Sequence, residues 1–411
     1  MTLPPAASLH DSTESVYSRW QPLNDWLAEH RELWASAPFM EPVPGWTLSH
    51  PALADWLAGL SEVRCQNLDD DPSLLAEQAS RYLSSLGRYD ELVHVAELAD
   101  AQQAEQATLP EIRAVDMPGR KRLQAGAFSA AVQPLAHSIL DWCCGKGHLA
   151  RTLAAASGQP VTGLEWNDEL VQDGNRLARR FGDPVLLQCQ DVMDTELALE
   201  GGAHGVALHA CGDLHRQLIR RGSESGLSRL SISPCCYHLT AEDRYQTLSL
   251  RAAENPRCLR LARNELRLAV QETVTAPERV REQTRRISQW RLGFDALQRQ
   301  LRDCDDYLPV PSHPSRLLNG DFEGFCRWAA HKKGLTLPPA TDYGYWQAVG
   351  ERRWKEVKQY ELVRHLFRRP LEVWMVLDYG LYLEEQGYRV KIGEFCDRSL
   401  TPRNLLIDAL R

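Results

Sequence analysis

The chain has 411 residues, room for two or three domains rather than one. Hydrophobic residues make up 43% and charged residues 25%, which excludes disorder and collagen-like structure. The formal net charge of −8 excludes a uniformly basic coat for nucleic acid. That charge is unevenly spread. Residues 1–110 carry 5 basic and 17 acidic side chains, whereas residues 111–411 carry 42 and 38. An acidic front on a mildly basic remainder points to parts with different tasks.

No apolar stretch approaches the roughly 18 residues of a membrane-spanning helix, so no membrane partner is expected. The opening MTLPPAASLHDSTES has neither a basic leader nor an apolar core, and is not read as a secretory signal. The 11 cysteines include two adjacent pairs, Cys143-Cys144 and Cys235-Cys236. In a chain of this size without an export signal, they are expected to be reduced thiols in the cytoplasm.

Residues 1–112 read as an acidic helical domain. Trp20, Leu23, Trp26 and Leu27 recur at helical spacing, as do Leu75, Tyr82, Leu83 and Leu86, with prolines between. Trp20, Trp26, Trp34, Trp46 and Trp56 are expected to be core aromatics. The texture then changes. Ile139-Leu140, Val161–Leu164, Val185–Leu187, Val206–Leu208 and Leu230–Ile232 are short apolar runs, the first of them separated by amphipathic stretches. Strands alternating with helices imply a parallel sheet, with ligands at the carboxyl ends of its strands.

Residues 113–245 therefore form the first part of an α/β core. Residues 246–354 read as an Arg-rich helical insertion, and residues 355–411 as a helix and two final strands that rejoin the sheet, one of them antiparallel. Between 251 and 303 there are 12 arginines and 7 acids. A second basic cluster holds Arg352, Arg353, Lys355, Lys358, Arg364, Arg368 and Arg369. The planar guanidinium suits phosphate, so an RNA partner could lie along this insertion. Many of these arginines alternate with Glu and could equally form solvated ion pairs.

The most informative segment is Asp141-Trp142-Cys143-Cys144-Gly145-Lys146-Gly147-His148. A strand ends at Asp141, two glycines allow close backbone approach to a ligand, and a helix N-terminus follows. Glu165 ends the next strand, where a carboxylate can accept both hydroxyls of a ribose. Asp191 ends the third, where an acid can take an adenine amino group. Such acids at three strand ends describe a site for S-adenosylmethionine. The register Gly145-x-Gly147-x-x-Ala150 leaves a dinucleotide fold as the alternative, although an acid at Asp141 argues against it.

Here the chain resembles the class I S-adenosylmethionine-dependent methyltransferases, whose first motif is (D/E)-x-G-x-G-x-G. Asp141, Gly145 and Gly147 match it, with Cys143 where the first glycine would stand. Leu208-His209-Ala210-Cys211-Gly212-Asp213-Leu214 and Pro234-Cys235-Cys236-Tyr237-His238 resemble elements of the methyltransferase-like protein 25 family. The Cys-Cys-x-His signature is shared with eukaryotic tRNA 2′-O-methyltransferases. Lys121 and Thr401-Pro402-Arg403-Asn404 match further family elements. The resemblance implies a Rossmann-like α/β sheet, S-adenosylmethionine as cofactor, and methyl transfer, with RNA favoured over a protein or small molecule. A cofactor-binding scaffold without catalysis is the reading from a different class.

On this basis Asp141, Cys143, Gly145, Gly147, Glu165, Asp191, His209 and Lys121 are the expected cofactor residues. Asp213, His209, Cys235, Cys236 and His238 are the candidates for catalysis, the histidines as bases near neutral pH. Pro234-Cys235 also brings to mind a thiolate nucleophile, against which stands simple packing of small thiols. Neither H-x-C nor C-C-x-H has the usual spacing of a zinc site, so no metal is expected.

Overall fold

A computed structural model describes residues 15–135, 138–271, 278–314, 317 and 320–411. Most of the opening segment read as a non-secretory start therefore lies outside the described residues. Each expected apolar run is a strand. The strands in chain order are β1 (Ala96–Glu97), β2 (Ile139–Trp142), β3 (Val161–Glu165), β4 (Val185–Cys189), β5 (His204–Cys211), β6 (Arg229–Cys235), β7 (Arg389–Glu394) and β8 (Leu405–Leu410). The two-residue β1 is too short to leave a periodic signal in the sequence.

The strands form one sheet in the order β1-β7-β8-β6-β5-β2-β3-β4. From β6 to β4 all pairs are parallel, while β8 runs antiparallel to both β6 and β7. This is the α/β sheet expected from the sequence, with its last two strands returning as predicted. The chain moves outward from β2 through β3 to β4, then returns to place β5 on the other side of β2. That reversal opens a crevice at the carboxyl ends of β2 and β5.

The helices that cover the sheet carry apolar residues three and four apart. His148–Ser157 buries Leu149, Leu153 and Ala154, and Asp168–Phe181 buries Val171, Gly174, Leu177 and Ala178. Asn167 caps the second helix by accepting from Glu169 N–H at 3.0 Å. Gly174 is required by close packing, since a Cβ there would stand 2.8 Å from the Lys146 carbonyl oxygen. The helix thus lies directly beneath the glycine loop.

The chain folds into two compact units. One holds Met1–Glu29, Leu92–Val270 and Pro370–Arg411, and the other holds His30–Glu91 and Gln271–Arg369. The acidic N-terminal segment is thereby shared. In the first unit Trp20 lies 6.0 Å from Trp374, and Asn24 accepts from Leu259 N–H at 3.0 Å and from the Trp374 indole at 3.2 Å. In the second, Trp34 and Trp46 are buried, and Gln359 donates to the carbonyls of Ala58 and Leu60 at 2.8 Å. Trp290, Phe294, Phe325 and Ala329 form that unit's own core. Helical periodicity shows which face is buried but not which partner buries it.

Among the described residues, no helix is long and apolar enough to cross a membrane.

The antiparallel insertion of β8 is fixed by charge. Asp408 accepts from Arg229 Nε at 2.7 Å, from a second guanidinium nitrogen at 2.8 Å and from Ser231 Oγ at 2.6 Å. Because Ser231 spends its proton on Asp408, it must accept from His204 Nε2, 2.7 Å away. Both ends of the ion pair are buried. Asp408→Ala strands a buried guanidinium and is expected to cost about 3–5 kcal/mol. Urea denaturation followed by circular dichroism measures it, and a loss below about 1 kcal/mol would mean that the pair behaves like a surface one.

Candidate active site at the carboxyl ends of the central strands

After β2 the backbone enters the left-handed region at Cys143 (φ 58°), Gly145 (φ 57°) and Gly147 (φ 67°). Cys143 therefore adopts a conformation that non-glycine residues hold only when their surroundings enforce it. The loop is tied from below: Cys144 N–H donates to the Leu164 carbonyl at 3.0 Å, and Gly147 N–H to that of Cys144 at 2.9 Å. Burial raises the Cys143 thiol to about 12 and drives the Cys144 thiol higher, so both remain protonated. Cys144 packs under the loop against Gly163, where a Cβ would come within 2.6 Å of its sulfur.

Asp141 is buried and accepts from Ala150 N–H at 3.1 Å, in the first turn of the helix after the loop. Burial raises its carboxyl to about 7. It braces the loop by holding the first turn of that helix. Glu165 lies in front. Its two oxygens accept from Gly145 N–H and Asn167 N–H, each at 3.0 Å. A carboxylate has about four acceptor positions, so each oxygen keeps a lone pair for a hydroxyl. Asp191, two residues beyond β4, is exposed and accepts from Met193 N–H at 2.9 Å.

The loop leaves room for a ligand at Gly145. A Cβ built on Gly145 would meet nothing within 4 Å, so the backbone is open to close approach. Trp166, directly after Glu165, is 75% exposed, and Met193 is 43% exposed. An apolar face beside the Glu165 carboxylate suits a purine, and the sequence reading passed over both residues. The only signal was an aromatic directly after the strand-end acid.

The other strand ends turn in the same manner. β5 loses register with β6 between Leu208 and Cys211, and His209 sits at φ 63°. Cys236, one residue past β6, sits at φ 49°. Neighbouring residues on a strand normally point to opposite faces. The left-handed turn at Cys236 changes this, and the sulfurs of Cys211, Cys235 and Cys236 all lie within 4.8 Å of one another. Cys211 and Cys235 are 3.7 Å apart. Cys143 is close enough for Cys211 to affect its ionisation.

S–H donation from Cys211 and Cys235 holds the Cys236 thiol below its ordinary range, and His238 and Arg403 add to the effect. His209 is largely enclosed, and burial lowers it to about 4, with Arg403, Lys121 and Arg120 acting in the same direction. It is therefore neutral at neutral pH. His238 is less enclosed, its pKa lowered by desolvation and by Arg267, and its Nδ1 is buried without a hydrogen-bond partner. One Asp213 oxygen accepts from Ala241 N–H at 2.9 Å, bracing the segment after His238. It also lines a cleft of about 150 Å³ with Met193, Arg216 and Tyr237.

Residues 125–243 match the family model described as Methyltransferase domain. None of the curated proteins matches the chain. Among solved structures, it is similar to the tRNA (uracil-54, C5)-methyltransferase of Pyrococcus abyssi, at 19% identity over 28% of this chain and 29% of that one, with TM-score 0.24. It is also similar to geranyl diphosphate C-methyltransferase from Streptomyces coelicolor A3(2), at 20% identity over 34% of this chain and 55% of that one, with TM-score 0.26. The chain thus spans well under two thirds of the length of either. The sheet and the matched segment define a methyltransferase domain of class I architecture, whose cofactor is S-adenosylmethionine.

Glu165→Ala removes the acceptors for both hydroxyls and the anchor of Gly145. Loss of hydrogen bonds to a charged group, about 1.5–3 kcal/mol, corresponds to a roughly 10- to 150-fold higher Kd. Calorimetry with S-adenosylhomocysteine measures this, and an unchanged Kd in a folded variant would remove Glu165 from the site.

His215 supports the end of β5. Its Nδ1 donates to the Ala210 carbonyl at 2.9 Å, so Nε2 must accept from Tyr379 Oη at 3.2 Å. Full burial lowers its pKa from 6.5 to about 4. The unfolded chain therefore binds the proton first, and stability falls as pH drops from about 6.5 towards 4. His215→Gln removes one proton from that linkage. Its stability against pH should be shallower there by up to ~1.4 kcal/mol per pH unit, read from urea midpoints; parallel curves would contradict this.

Proposed function

We propose that the chain transfers the methyl group of S-adenosylmethionine to RNA in the cytoplasm. The observation that carries this is the charge at the reaction end: the Arg403 carbonyl accepts from Ser233 of β6 at 3.3 Å, and beyond the effect of burial Arg403, Lys121 and Arg120 act on His209 and Arg267 on His238. Four cations around two histidines suit a phosphate backbone that must be held while one nucleotide is presented. The resemblance of the Cys211–Leu214 and Cys235–His238 elements to the methyltransferase-like protein 25 family supports the same reading.

The cofactor supplies an electrophilic methyl group when bound. Glu165 would hold the ribose, Asp191 the adenine amino group, and the open backbone at Gly145 and Gly147 would admit the rest. Lys121 would serve a carboxylate there. Of the two histidines, His238 is the better proton acceptor for an RNA nucleophile, because the deeper burial of His209 leaves it a weak base. His209 is then a positioning residue for the cofactor end.

The arginines of the insertion contribute less than their number suggests. Arg285 pairs with Glu282 at 2.9 Å, Arg299 with Asp295 at 2.9 Å and Arg353 with Glu356 at 3.6 Å. Trp290 is in a core and offers no face for a base. RNA contact is accordingly assigned first to Arg267 and Arg403.

The test is tritium transfer from labelled S-adenosylmethionine, by purified protein, into RNA and protein from a strain lacking the gene. Label in RNA, abolished by Glu165→Ala, is the expected result. Label confined to protein or small molecules would overturn the RNA assignment, and tight cofactor binding with no transfer into any fraction would favour a scaffold.

A further inference from the structure

The three converging thiols go beyond what methyl transfer to RNA requires. Cys235 is buried, Cys211 and Cys236 are partly so, and their sulfurs lie within 4.8 Å of one another. A tetrahedral zinc with Zn–S bonds of about 2.3 Å sets its sulfurs ~3.8 Å apart. The Cys211–Cys235 separation is 3.7 Å. The backbone is strained to bring the third sulfur in, since Cys236 is a non-glycine residue at φ 49°. On the other strand, Gly212 sits at φ 55° with the Leu239 carbonyl oxygen packed where a Cβ would stand. Two strand ends are therefore locked together around the sulfurs.

We infer that Cys211, Cys235 and Cys236 bind one zinc ion at the reaction end of the sheet. This departs from the expectation drawn from spacing, because the left-handed turn brings adjacent cysteines to one side. Binding breaks three S–H bonds and forms three S–Zn bonds; the protons pass to solvent and no electron is transferred. Three thiolates and a divalent ion leave a single net negative charge, offset by nearby Arg403. Among the described residues no histidine or carboxylate joins the three at this distance, so the fourth position is left to water or to a substrate atom. Three protein ligands with one open position is the arrangement of catalytic rather than structural zinc.

The zinc site does not require RNA to be the substrate, and its readout is the metal. Untagged protein, purified under reducing conditions, should carry about one zinc per chain by mass spectrometry. Cobalt exchange should give a thiolate-to-cobalt charge-transfer band. Cys236→Ser and Cys211→Ser should each lower zinc content at least about tenfold, while circular dichroism and S-adenosylhomocysteine binding report whether the fold survives. Wild-type protein that takes up neither zinc nor cobalt after anaerobic reconstitution would overturn the site. So would full zinc content in folded Cys211→Ser/Cys236→Ser. Either result leaves methyl transfer to be judged on its own assay.

Discussion

Three central strands end by turning left-handed at a residue other than glycine. Cys143 follows β2, His209 lies in the last part of β5, and Cys236 follows β6, with φ of 58°, 63° and 49°. Each such residue costs about 1–3 kcal/mol unless its surroundings enforce it. The order β6-β5-β2 makes the three neighbours, so their side chains converge on one crevice. The chemistry proposed for this protein depends on that repeated turn. It frees the Gly145 amide to meet Glu165 and aligns the thiols.

A strained edge needs a rigid sheet behind it. β2, β3 and β5 are buried along most of their length, and β6 is buried throughout despite carrying Arg229, Ser231 and Ser233. Their polar groups are paired: Arg229 and Ser231 with Asp408 on β8, and Ser233 with the Arg403 carbonyl at 3.3 Å. The antiparallel strand thereby joins the sheet to the segment that carries Arg403. His215 and Asp213 brace the two sides of the β5 turn, one through the Ala210 carbonyl and one through the Ala241 amide.

Much of this was legible in the sequence because it rests on local patterns. Short apolar runs gave the five parallel strands, and the acids Asp141, Glu165 and Asp191 marked the ends of three of them to within two residues. The two final strands could be read from alternation and a returning apolar run. What was not legible depends on backbone conformation and partner choice. Adjacent cysteines look incompatible with one site until Cys236 is seen to leave the strand geometry. Asp213 reads from sequence as a polar group for orienting a substrate, and its hydrogen bond to the Ala241 amide shows only in the fold. The acidic N-terminal segment looks like one domain, yet Asn24 packs with Trp374 and Ala58 with Gln359 in different units.

A division of labour along one sheet edge follows. The acids lie on the β2–β4 side, where an adenosyl ligand needs acceptors, and the thiols, histidines and cations lie towards β6, where a nucleophile would approach. The most direct test of this arrangement is isothermal titration of the wild-type chain with S-adenosylhomocysteine and, separately, with NAD. One-to-one, saturable binding of S-adenosylhomocysteine with no heat from NAD is expected. Binding of NAD in its place would contradict the assignment of the glycine loop, Glu165 and Asp191 to a methyl donor.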